Sequence, residues 1–213
     1  MSGESATGLA FVDQVLGLKD GPRLSILVRS TKKLPQGFIS RHAGRMKIVE
    51  GSLTDEVKLN QAMEGVTTVV SFLVAKGACM PLYHFLTRSK PTPIADSFHL
   101  IKKSMGKHGV KRLLALSTPA HALPNEEYTW TQYITTQILP PVVVPQGSAE
   151  MTAIDEICAD ADFDYTIFRV PHLNESPADA RVHAGKYSKD FKGGQELSRG
   201  MVAKWVYGEI QEK

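Results

Sequence analysis

The stretch Phe163-Asp-Tyr-Thr-Ile-Phe-Arg-Val170, followed by Pro171-His172-Leu173, decides the fold of this 213-residue chain. Its β-branched and aromatic residues predict a buried strand, which the proline ends because it has no amide to donate to a ladder. Open parallel sheets bind ligands at the carboxyl ends of their strands. His172 therefore stands where a group that titrates near neutral pH can act on a substrate. The alternative is a surface histidine in an ordinary loop.

A second predicted strand, Val110–Ser117, ends in the same way at Thr118-Pro119. It follows a stretch, Ala95–His108, whose apolar residues recur at helical spacing and which stops at Gly109. If both strands belong to one parallel sheet, Ser117 and His172 lie at the same edge. We expect these two residues to be the catalytic groups.

The rest of the chain repeats this alternation of strands and helices. Three further strands are predicted at Leu24–Arg29, Met46–Val49 and Thr67–Val74. Four further helices are predicted at Leu9–Leu18, Asp55–Met63, Glu150–Ala159 and Ser198–Gln211. The pattern predicts an α/β fold: a Rossmann-like, doubly wound parallel sheet in a single domain spanning residues 1–213. Glu150, Asp155 and Glu156 are expected to form a solvated face of their helix.

Composition limits the class of protein. Apolar residues make up 42% of the chain, and the only cysteines, Cys79 and Cys158, do not suggest a disulfide framework. The net charge of +3 is too small and dispersed to indicate nucleic-acid binding. Because no apolar run has the length of a membrane span, we expect a cytoplasmic protein, a monomer or homodimer, without membrane contact. The histidines lack partners at ligand spacing, so no metal site is expected.

Two segments near the amino terminus suit an anion. Small residues in Ser2–Gly8 run directly into a predicted helix, whose free amides and dipole favour a phosphate. The spacing is not a clean G-x-G-x-x-G, so a frayed polar terminus is an equal alternative. Four cations (Arg29, Lys32, Lys33 and Arg41) follow the strand at Leu24–Arg29. They indicate either a second phosphate site or a solvated loop.

At these residues the chain resembles a known family. The segments Thr7–Val12, Leu27–Ser30 and His108–Pro119 are similar to those of the atypical short-chain dehydrogenases, and closest to the fungal NmrA-like NAD(P)-binding proteins. A further similarity, to the biliverdin reductase B / flavin reductase branch, lies at Ser117, Pro171-His172, Gly185–Tyr187 and Leu197–Arg199.

The resemblance implies NADP(H) as cofactor. It places Thr7 and Gly8 on the pyrophosphate and Arg29 on the 2′-phosphate, where an NAD enzyme usually has an acidic residue. Ser30 and Lys33 assist Arg29, and the planar guanidinium makes Arg29 the better partner of the three. The remaining implied cofactor contacts are Ser52 and Leu53 at the adenine, Phe72 and Leu73 at the nicotinamide ribose, and Pro171 and Leu173, while Ser117 and His172 are placed next to the nicotinamide ring.

The chain departs from the family pattern in three ways. The family has an apolar strand before the phosphate-binding turn, where only Met1 stands here, and it continues past the last helix with a closing segment. We therefore expect the fold to lack its first strand and its closing segment. The Tyr-x-x-x-Lys pair of typical members is also absent, since Gln132 and Gln137 follow Tyr128 and Tyr133. A trimmed or mis-started sequence and a non-redox relative are both open interpretations.

Two aromatic, proline-containing stretches, Lys76–Lys90 and His121–Gln146, leave the carboxyl edge of the predicted sheet. Loops in that position usually carry specificity. We expect five of their side chains to shape an apolar substrate pocket, with simple lid packing as the alternative: Tyr83, Phe85, Tyr128, Trp130 and Tyr133.

The leading hypothesis is an NADP(H)-dependent oxidoreductase that reduces a small apolar or aromatic carbonyl, enone or flavin-like acceptor. A cofactor sensor or scaffold without turnover is the rival, and a non-redox isomerase or cyclase on the same fold is a third option.

Overall fold

A computed structural model describes residues 5–73, 92–119, 123, 125–159, 163–188, 190–194 and 196–212. The long helices are α1 (Ala6–Gly17), α3 (Glu56–Met63), α4 (Pro93–Lys107), α7 (Pro145–Ala159) and α8 (Arg199–Gln211). Short helices are α2 (Phe38–Arg41), α5 (Trp130–Tyr133) and α6 (Leu139–Val143), the last two joined by a π-helical turn, Ile134–Ile138. The strands are β1 (Leu24–Val28), β2 (Met46–Glu50), β3 (Thr68–Ser71), β4 (Arg112–Ser117), β5 (Asp164–Arg169), β6 (His172–Asn174) and β7 (Glu196–Ser198).

All strand pairs are parallel, which confirms the predicted α/β class. Strand β4 lies between β3 and β5, and Ser117 is directly opposite Arg169 in the register. The strands form three hydrogen-bonded sheets: β1 with β2, β3 with β4 and β5, and β6 with β7. Within the part of the chain that the structure describes, β1 and β3 are therefore not paired with each other.

Helices cover both faces of the β3–β4–β5 sheet. On one face, α4 buries Phe98, Ile101 and Met105 against Leu113 and Ala115 of β4. On the other face, α1 and α8 pack over the alternate residues of the same strand. Complete burial of a side chain such as Phe98 is worth about 1.5–3 kcal/mol, so these two layers hold the sheet in place. None of the helices in the described ranges is long and apolar enough to cross a membrane.

Helix α7 corrects one prediction. It begins at Pro145 rather than Glu150, because proline is tolerated in the first turn of a helix. Its acidic residues are not all solvated: Glu150 is 1% exposed and Asp155 is also buried. The Glu150 carboxylate accepts hydrogen bonds from the amides of Ile94 and Ala95, at 3.1 and 2.8 Å. It therefore caps the amino terminus of α4 from another helix.

Candidate active site

The carboxyl ends of β4 and β5 border one cavity of about 480 Å³, which we call the edge cavity. Thr118 and Pro119, which follow β4, line it, and so do Pro171, which lies between β5 and β6, and His172, which begins β6. The π-helical region and α7 supply its other walls, through residues that include Gln132, Thr135, Thr136, Ser148 and Met151. The edge cavity thus combines an apolar lining with hydroxyls, an amide and one imidazole.

His172 is an exposed residue in the wall of the edge cavity. It begins strand β6, where it lies opposite Glu196 of β7. Sequence analysis placed His172 just after the end of a strand but missed this short strand pair, because three-residue strands carry little periodic signal. Strand pairing fixes the backbone of His172 while leaving its imidazole accessible at the cavity.

Ser117 lies at the end of β4 with its side chain completely buried. It is on the same face of the strand as Leu113 and Ala115, which pack toward α4 and α7. Within the described residues its hydroxyl has no hydrogen-bond partner, and Thr118 rather than Ser117 lines the edge cavity. The structure therefore places Ser117 beneath the surface of the cavity and the next hydroxyl on it.

A buried cluster around Glu126 stands beside the edge cavity, and sequence analysis did not find it. Both carboxylate oxygens of Glu126 accept hydrogen bonds from the Arg169 guanidinium, one of them at 3.0 Å, and the Tyr128 hydroxyl donates to Oε2 at 2.5 Å. The amides of Leu123 and Tyr187 donate to the same carboxylate, at 3.1 and 3.3 Å. Glu126 therefore ties the end of β5 to two loops.

The electrostatics of this cluster favour one charge state. Burial opposes ionisation of Glu126, but the hydrogen bonds from Arg169 and Tyr128 outweigh it and lower the pKa of the carboxyl to about 2. Burial and the neighbouring carboxylate raise the pKa of Tyr128 to about 12. Glu126 is ionised and Tyr128 protonated at neutral pH, so the cluster acts as a fixed brace rather than as a proton donor to substrate.

A second cavity of about 550 Å³, which we call the loop cavity, adjoins the first. Both are lined by Pro119, Val170, Pro171 and Tyr187. The floor of the loop cavity is apolar and includes Phe168, Leu197, Met201 and Trp205, while the loop that crosses it contributes Arg181, His183 and Lys186. It offers an apolar floor with a cationic rim.

Of the five aromatic side chains expected to shape the substrate pocket, none of the three in the described ranges lines either cavity. Tyr83 and Phe85 lie outside the described residues. Trp130 is 76% exposed and stacks on Tyr133, with ring centroids 6.1 Å apart, and neither ring lines the two cavities. Gln132 and Thr136, one helical turn apart, face the edge cavity instead, because Trp130 and Tyr133 occupy the outer side of the helix.

Tyr128, the remaining aromatic residue of that expectation, is bonded to Glu126 and packs on Tyr187, with ring centroids 5.0 Å apart. Tyr187 lines both cavities, so Tyr128 packs against a residue of the cavity wall without lining either cavity itself.

The expected phosphate contacts lie at two places. Thr7 and Gly8 are buried in the first turn of α1, where the amide of Leu9 is the first to make an intrahelical bond, to the Ser5 carbonyl at 3.0 Å. Helix geometry leaves the preceding amides without intrahelical acceptors. At the end of β1, Arg29 is exposed, and Ser30 precedes the 3₁₀ turn Thr31–Lys33 and accepts a backbone hydrogen bond from the Lys33 amide at 3.3 Å.

Glu50, at the end of β2, is a residue of this region that the sequence did not indicate. Its carboxylate accepts hydrogen bonds from the amide and hydroxyl of Thr31, at 3.0 and 2.7 Å. These bonds lower the pKa of the exposed Glu50 carboxyl. Glu50 therefore holds the first residue of the 3₁₀ turn, which also contains Lys32 and Lys33, two of the cations considered for phosphate binding.

The other expected cofactor contacts have mixed positions. Phe72 is completely buried between the rings of Phe11 and Phe168, and Leu73 is also in the core, so their side chains do not line either cavity. Phe72 and Leu73 directly follow β3 and belong to two different core clusters, which the strand pattern alone does not reveal. The remaining three contacts are an exposed Ser52, and the half-buried Leu53 and Leu173.

The described residues fit NADP(H) at its 2′-phosphate and at its nicotinamide end. Exposed Arg29 and Lys33 follow β1 and present cationic donors of the kind that bind a 2′-phosphate. Near the edge cavity, the buried hydroxyl of Ser117 lacks a partner among the described residues, and the His172 imidazole is accessible.

Comparison with known proteins identifies a family to which the chain is similar over nearly its whole length. A family model described as NAD(P)H-binding matches residues 3–213. No curated protein matches the sequence significantly.

Several solved structures are similar in fold. A wide-type short-chain dehydrogenase/reductase from Veillonella parvula DSM 2008, in complex with NADP, aligns with a TM-score of 0.67 and 19% identity over 99% of this chain and 84% of that one. The oxidoreductase ylbE from Lactococcus lactis aligns with a TM-score of 0.68 and 14% identity over 99% and 83%. ChuY, an anaerobilin reductase from Escherichia coli O157:H7, aligns with 0.68 and 12% over 96% and 84%. At these identities the likeness shows the Rossmann-like fold.

Proposed function

Because this chain belongs to the NAD(P)H-binding family, we propose that it is an NADP(H)-dependent oxidoreductase that reduces a small apolar or aromatic carbonyl, enone or flavin-like acceptor. The observation that carries the proposal is the edge cavity of about 480 Å³ at the carboxyl ends of β4 and β5. Its apolar lining suits such a substrate, and its few polar groups can orient one reacting oxygen. Within the family, we assign the chain to the NmrA-like atypical short-chain dehydrogenases.

Each part of NADP(H) is assigned to residues at or near the end of a particular strand or at the start of α1. Arg29, assisted by Ser30 and Lys33, takes the 2′-phosphate, and the amides of Thr7 and Gly8 take the pyrophosphate. Ser52 and Leu53 flank the adenine. At Phe72 and Leu73 the backbone, rather than the side chains, contacts the nicotinamide ribose, since both side chains are buried in the core. Pro171 and Leu173 lie toward the nicotinamide, which supplies a hydride when the cofactor is bound.

Two groups complete the reaction on the protein side. His172 is exposed at the edge cavity and donates a proton to the oxygen of the reduced substrate. Ser117 assists through its hydroxyl, which has no other partner among the described residues. This hydroxyl contacts the substrate only if the residues that separate Ser117 from the edge cavity move apart. Thr118 presents a hydroxyl on the cavity surface and is the residue that takes this role if the floor stays closed.

Similar proteins support the chemistry in general terms. One structural neighbour holds NADP, and another is a reductase of anaerobilin. The loop cavity adjoins the edge cavity, and Pro119, Val170, Pro171 and Tyr187 line both, so the apolar space beside the strand ends is larger than the edge cavity alone.

The rival function is an NADP(H) sensor or scaffold without turnover. The burial of Ser117 favours it, because a hydroxyl beneath the cavity surface does not touch a substrate. The separation of β1 from β3 also favours it, because the two ends of the cofactor site then stand on separate sheets.

A cofactor titration tests the proposal. NADPH is expected to bind more tightly than NADH, and Arg29→Ala to reduce that preference by ten- to a hundredfold, since a charge-assisted hydrogen bond is worth about 1.5–3 kcal/mol. Arg23→Ala, which removes an exposed cation before the opposite end of β1, is the matched control and should leave the preference unchanged. Equal affinity of the unmodified protein for both cofactors would overturn the assignment of NADP(H).

A further inference from the structure

The helical region from α5 to α6, residues 130–143, carries most of the large apolar side chains that are exposed in the described part of the chain. Of the ten such side chains among the described residues, three lie apart from one another, on α2, α3 and β5. Single exposed apolar residues are ordinary, whereas a cluster marks an interaction surface. The other seven form such a cluster, which we call the apolar stripe: Trp130, Tyr133, Ile134, Ile138, Leu139, Val142 and Val143.

The π-helical turn gives this region two distinct faces. The residues that line the edge cavity recur at every fourth position: Gln132, Thr136, Pro140 and Val144. Exposed apolar residues recur at the same spacing, two positions away: Trp130, Ile134, Ile138 and Val142. An α-helix has 3.6 residues per turn, so a spacing of four would drift around it, and the wider π-helical turn compensates for that drift. One face of the region therefore lines the edge cavity while the opposite face points to solvent.

The apolar stripe lies in a stretch of sequence without charge. Residues 128–149 contain no Asp, Glu, Lys, Arg or His, in a chain in which 22% of the residues are charged. Helices that bind a membrane surface usually carry Lys or Arg on their polar face, and here that face lines the edge cavity instead. The cores of protein–protein interfaces, in contrast, are depleted in charged residues and enriched in aromatic ones. The composition of the stripe therefore favours a protein partner over a lipid surface.

The area of the apolar stripe matches what a dimer requires. A large side chain has roughly 150–250 Å² of accessible surface, so at their fractional exposures the seven present roughly 700 Å². This exceeds the largest patch of about 300–600 Å² on a typical monomer and approaches the roughly 800 Å² that each partner buries in a standard interface. Two copies can meet through the same uncharged patch without like-charge repulsion, and two-fold dimers are the commonest symmetric assembly.

Trp130 and Tyr133 form a rigid anchor at one end of the apolar stripe. Their rings are parallel, with an interplanar angle of 2°. Tyr133 also contacts the ring of Tyr128 at a centroid distance of 6.3 Å, and Tyr128 is held by its hydrogen bond to Glu126. Aromatic side chains that are ordered before binding lose little conformational freedom on association. Trp130 is therefore suited to contribute much of the binding energy of an interface.

We propose that a second copy of this chain covers the apolar stripe, in a two-fold symmetric dimer in which the two helical regions run antiparallel. The stripe is centred between Ile134 and Ile138, so the two-fold axis passes there and Ile134 of each copy contacts Ile138 of the other. By the same symmetry, Trp130 packs against Val142 of the second copy. Residues spaced by four form the ridges that interdigitate when two helices pack. The dimer then supports the edge cavity, since its wall and the stripe share one helical region.

Sedimentation velocity of the full chain tests the proposal without reference to cofactor binding or turnover. The unmodified protein should be a dimer at about 20 µM, since interfaces of this size bind with micromolar or higher affinity. Its dissociation constant should not rise between about 0.1 and 1 M NaCl, because the stripe has no charge to screen. Val142→Glu should weaken the dimer by about a hundredfold or more, because it buries an unpaired carboxylate in the interface.

Val57→Glu is the matched control. Val57 is 75% exposed and Val142 is 74% exposed, but Val57 lies on α3, outside the apolar stripe. Val57→Glu should therefore leave the dimer intact. Circular dichroism of both variants checks that each is folded, which is expected because both positions are exposed.

A pair of charged variants tests the antiparallel arrangement. Ile138→Glu and Ile134→Lys should each be monomeric alone, because each buries unpaired charges at the centre of the interface. Mixed in equal amounts, they should form a heterodimer, in which the new carboxylate faces the new ammonium group and the remaining two isoleucines face each other. Monomers that persist after mixing would overturn the antiparallel pairing.

Three other results would overturn the proposal. One is an unmodified protein that stays monomeric at about 100 µM, a concentration well above the micromolar range expected for an interface of this size. Cosedimentation of that monomer with phosphatidylcholine vesicles would identify lipid as the partner of the apolar stripe. The second is a dimer that Val142→Glu leaves intact, which would place the interface elsewhere. The third is equal dissociation in Val142→Glu and Val57→Glu.

Discussion

The buried Glu126 carboxylate offers the sharpest test of how the site is held together. Glu126→Gln removes the charge that faces Arg169 and leaves that guanidinium buried without its ion-pair partner. The fall of the Glu126 pKa from 4.5 to about 2 corresponds to about 3 kcal/mol, at about 1.4 kcal/mol per tenfold change in proton affinity. Removing one partner of a buried pair typically costs about 3–5 kcal/mol, which agrees in size.

The pH dependence has a definite sign. Because the folded-state pKa of Glu126 is lowered, its contribution to stability is fully present above the unfolded value of about 4.5 and is lost as pH falls toward 2. Urea denaturation at pH 7 should show a loss of about 3 kcal/mol in Glu126→Gln. The difference between the variant and the unmodified protein should shrink as pH falls through this window.

Glu156→Gln is the matched control, since Glu156 is an exposed acid of α7. It should change the free energy of unfolding by less than about 0.5 kcal/mol. A loss below about 1 kcal/mol for Glu126→Gln at pH 7, or a difference that does not depend on pH, would refute the assignment of Glu126 as a charged brace.

Two other predictions concern the helix cap and the proposed chemistry. Glu150→Ala should lower the free energy of unfolding by about 2–3 kcal/mol, because two amides of α4 lose a charged acceptor, whereas Glu156→Ala on the same helix should be nearly neutral in urea denaturation. His172→Ala should lower turnover by about 10²–10⁴-fold with little change in NADPH affinity, and weaker binding at unchanged turnover would instead indicate packing over the cofactor. If Ser117 acts on the same substrate oxygen as His172, Ser117→Ala should also slow turnover, and the double variant should lose less than the product of the two single losses. If Thr118→Ala slows turnover and Ser117→Ala does not, the Thr118 hydroxyl has the assisting role.

The sequence predicted most of the sheet because its signals are local. Apolar runs that end in proline or serine identified β4 and β5, and apolar residues at helical spacing identified α4, whose Phe98, Ile101 and Met105 are indeed buried. Periodicity within a segment is sufficient for such elements. It is insufficient for β6 and β7, which are three residues long and pair across more than twenty residues.

The interior ionic groups could not be predicted for a related reason. Glu126 and Arg169 are 43 residues apart, and Glu150 caps a helix that begins more than 50 residues earlier. Nothing in the local pattern distinguishes these acids from solvated ones, since a long-range partner decides their burial. The same applies to Ser117: its place at a strand end was predictable, but its burial depends on how α4 and α7 cover β4.

The most direct test of the proposed function is stopped-flow oxidation of NADPH by the unmodified protein against a panel of aromatic aldehydes, enones, quinones and flavins. NADPH carrying deuterium at the transferred position should be oxidised more slowly than the protonated form in the presence of at least one acceptor, because hydride transfer breaks that bond. Tight NADPH binding without acceptor-dependent oxidation across the whole panel would contradict the oxidoreductase assignment and favour the sensor.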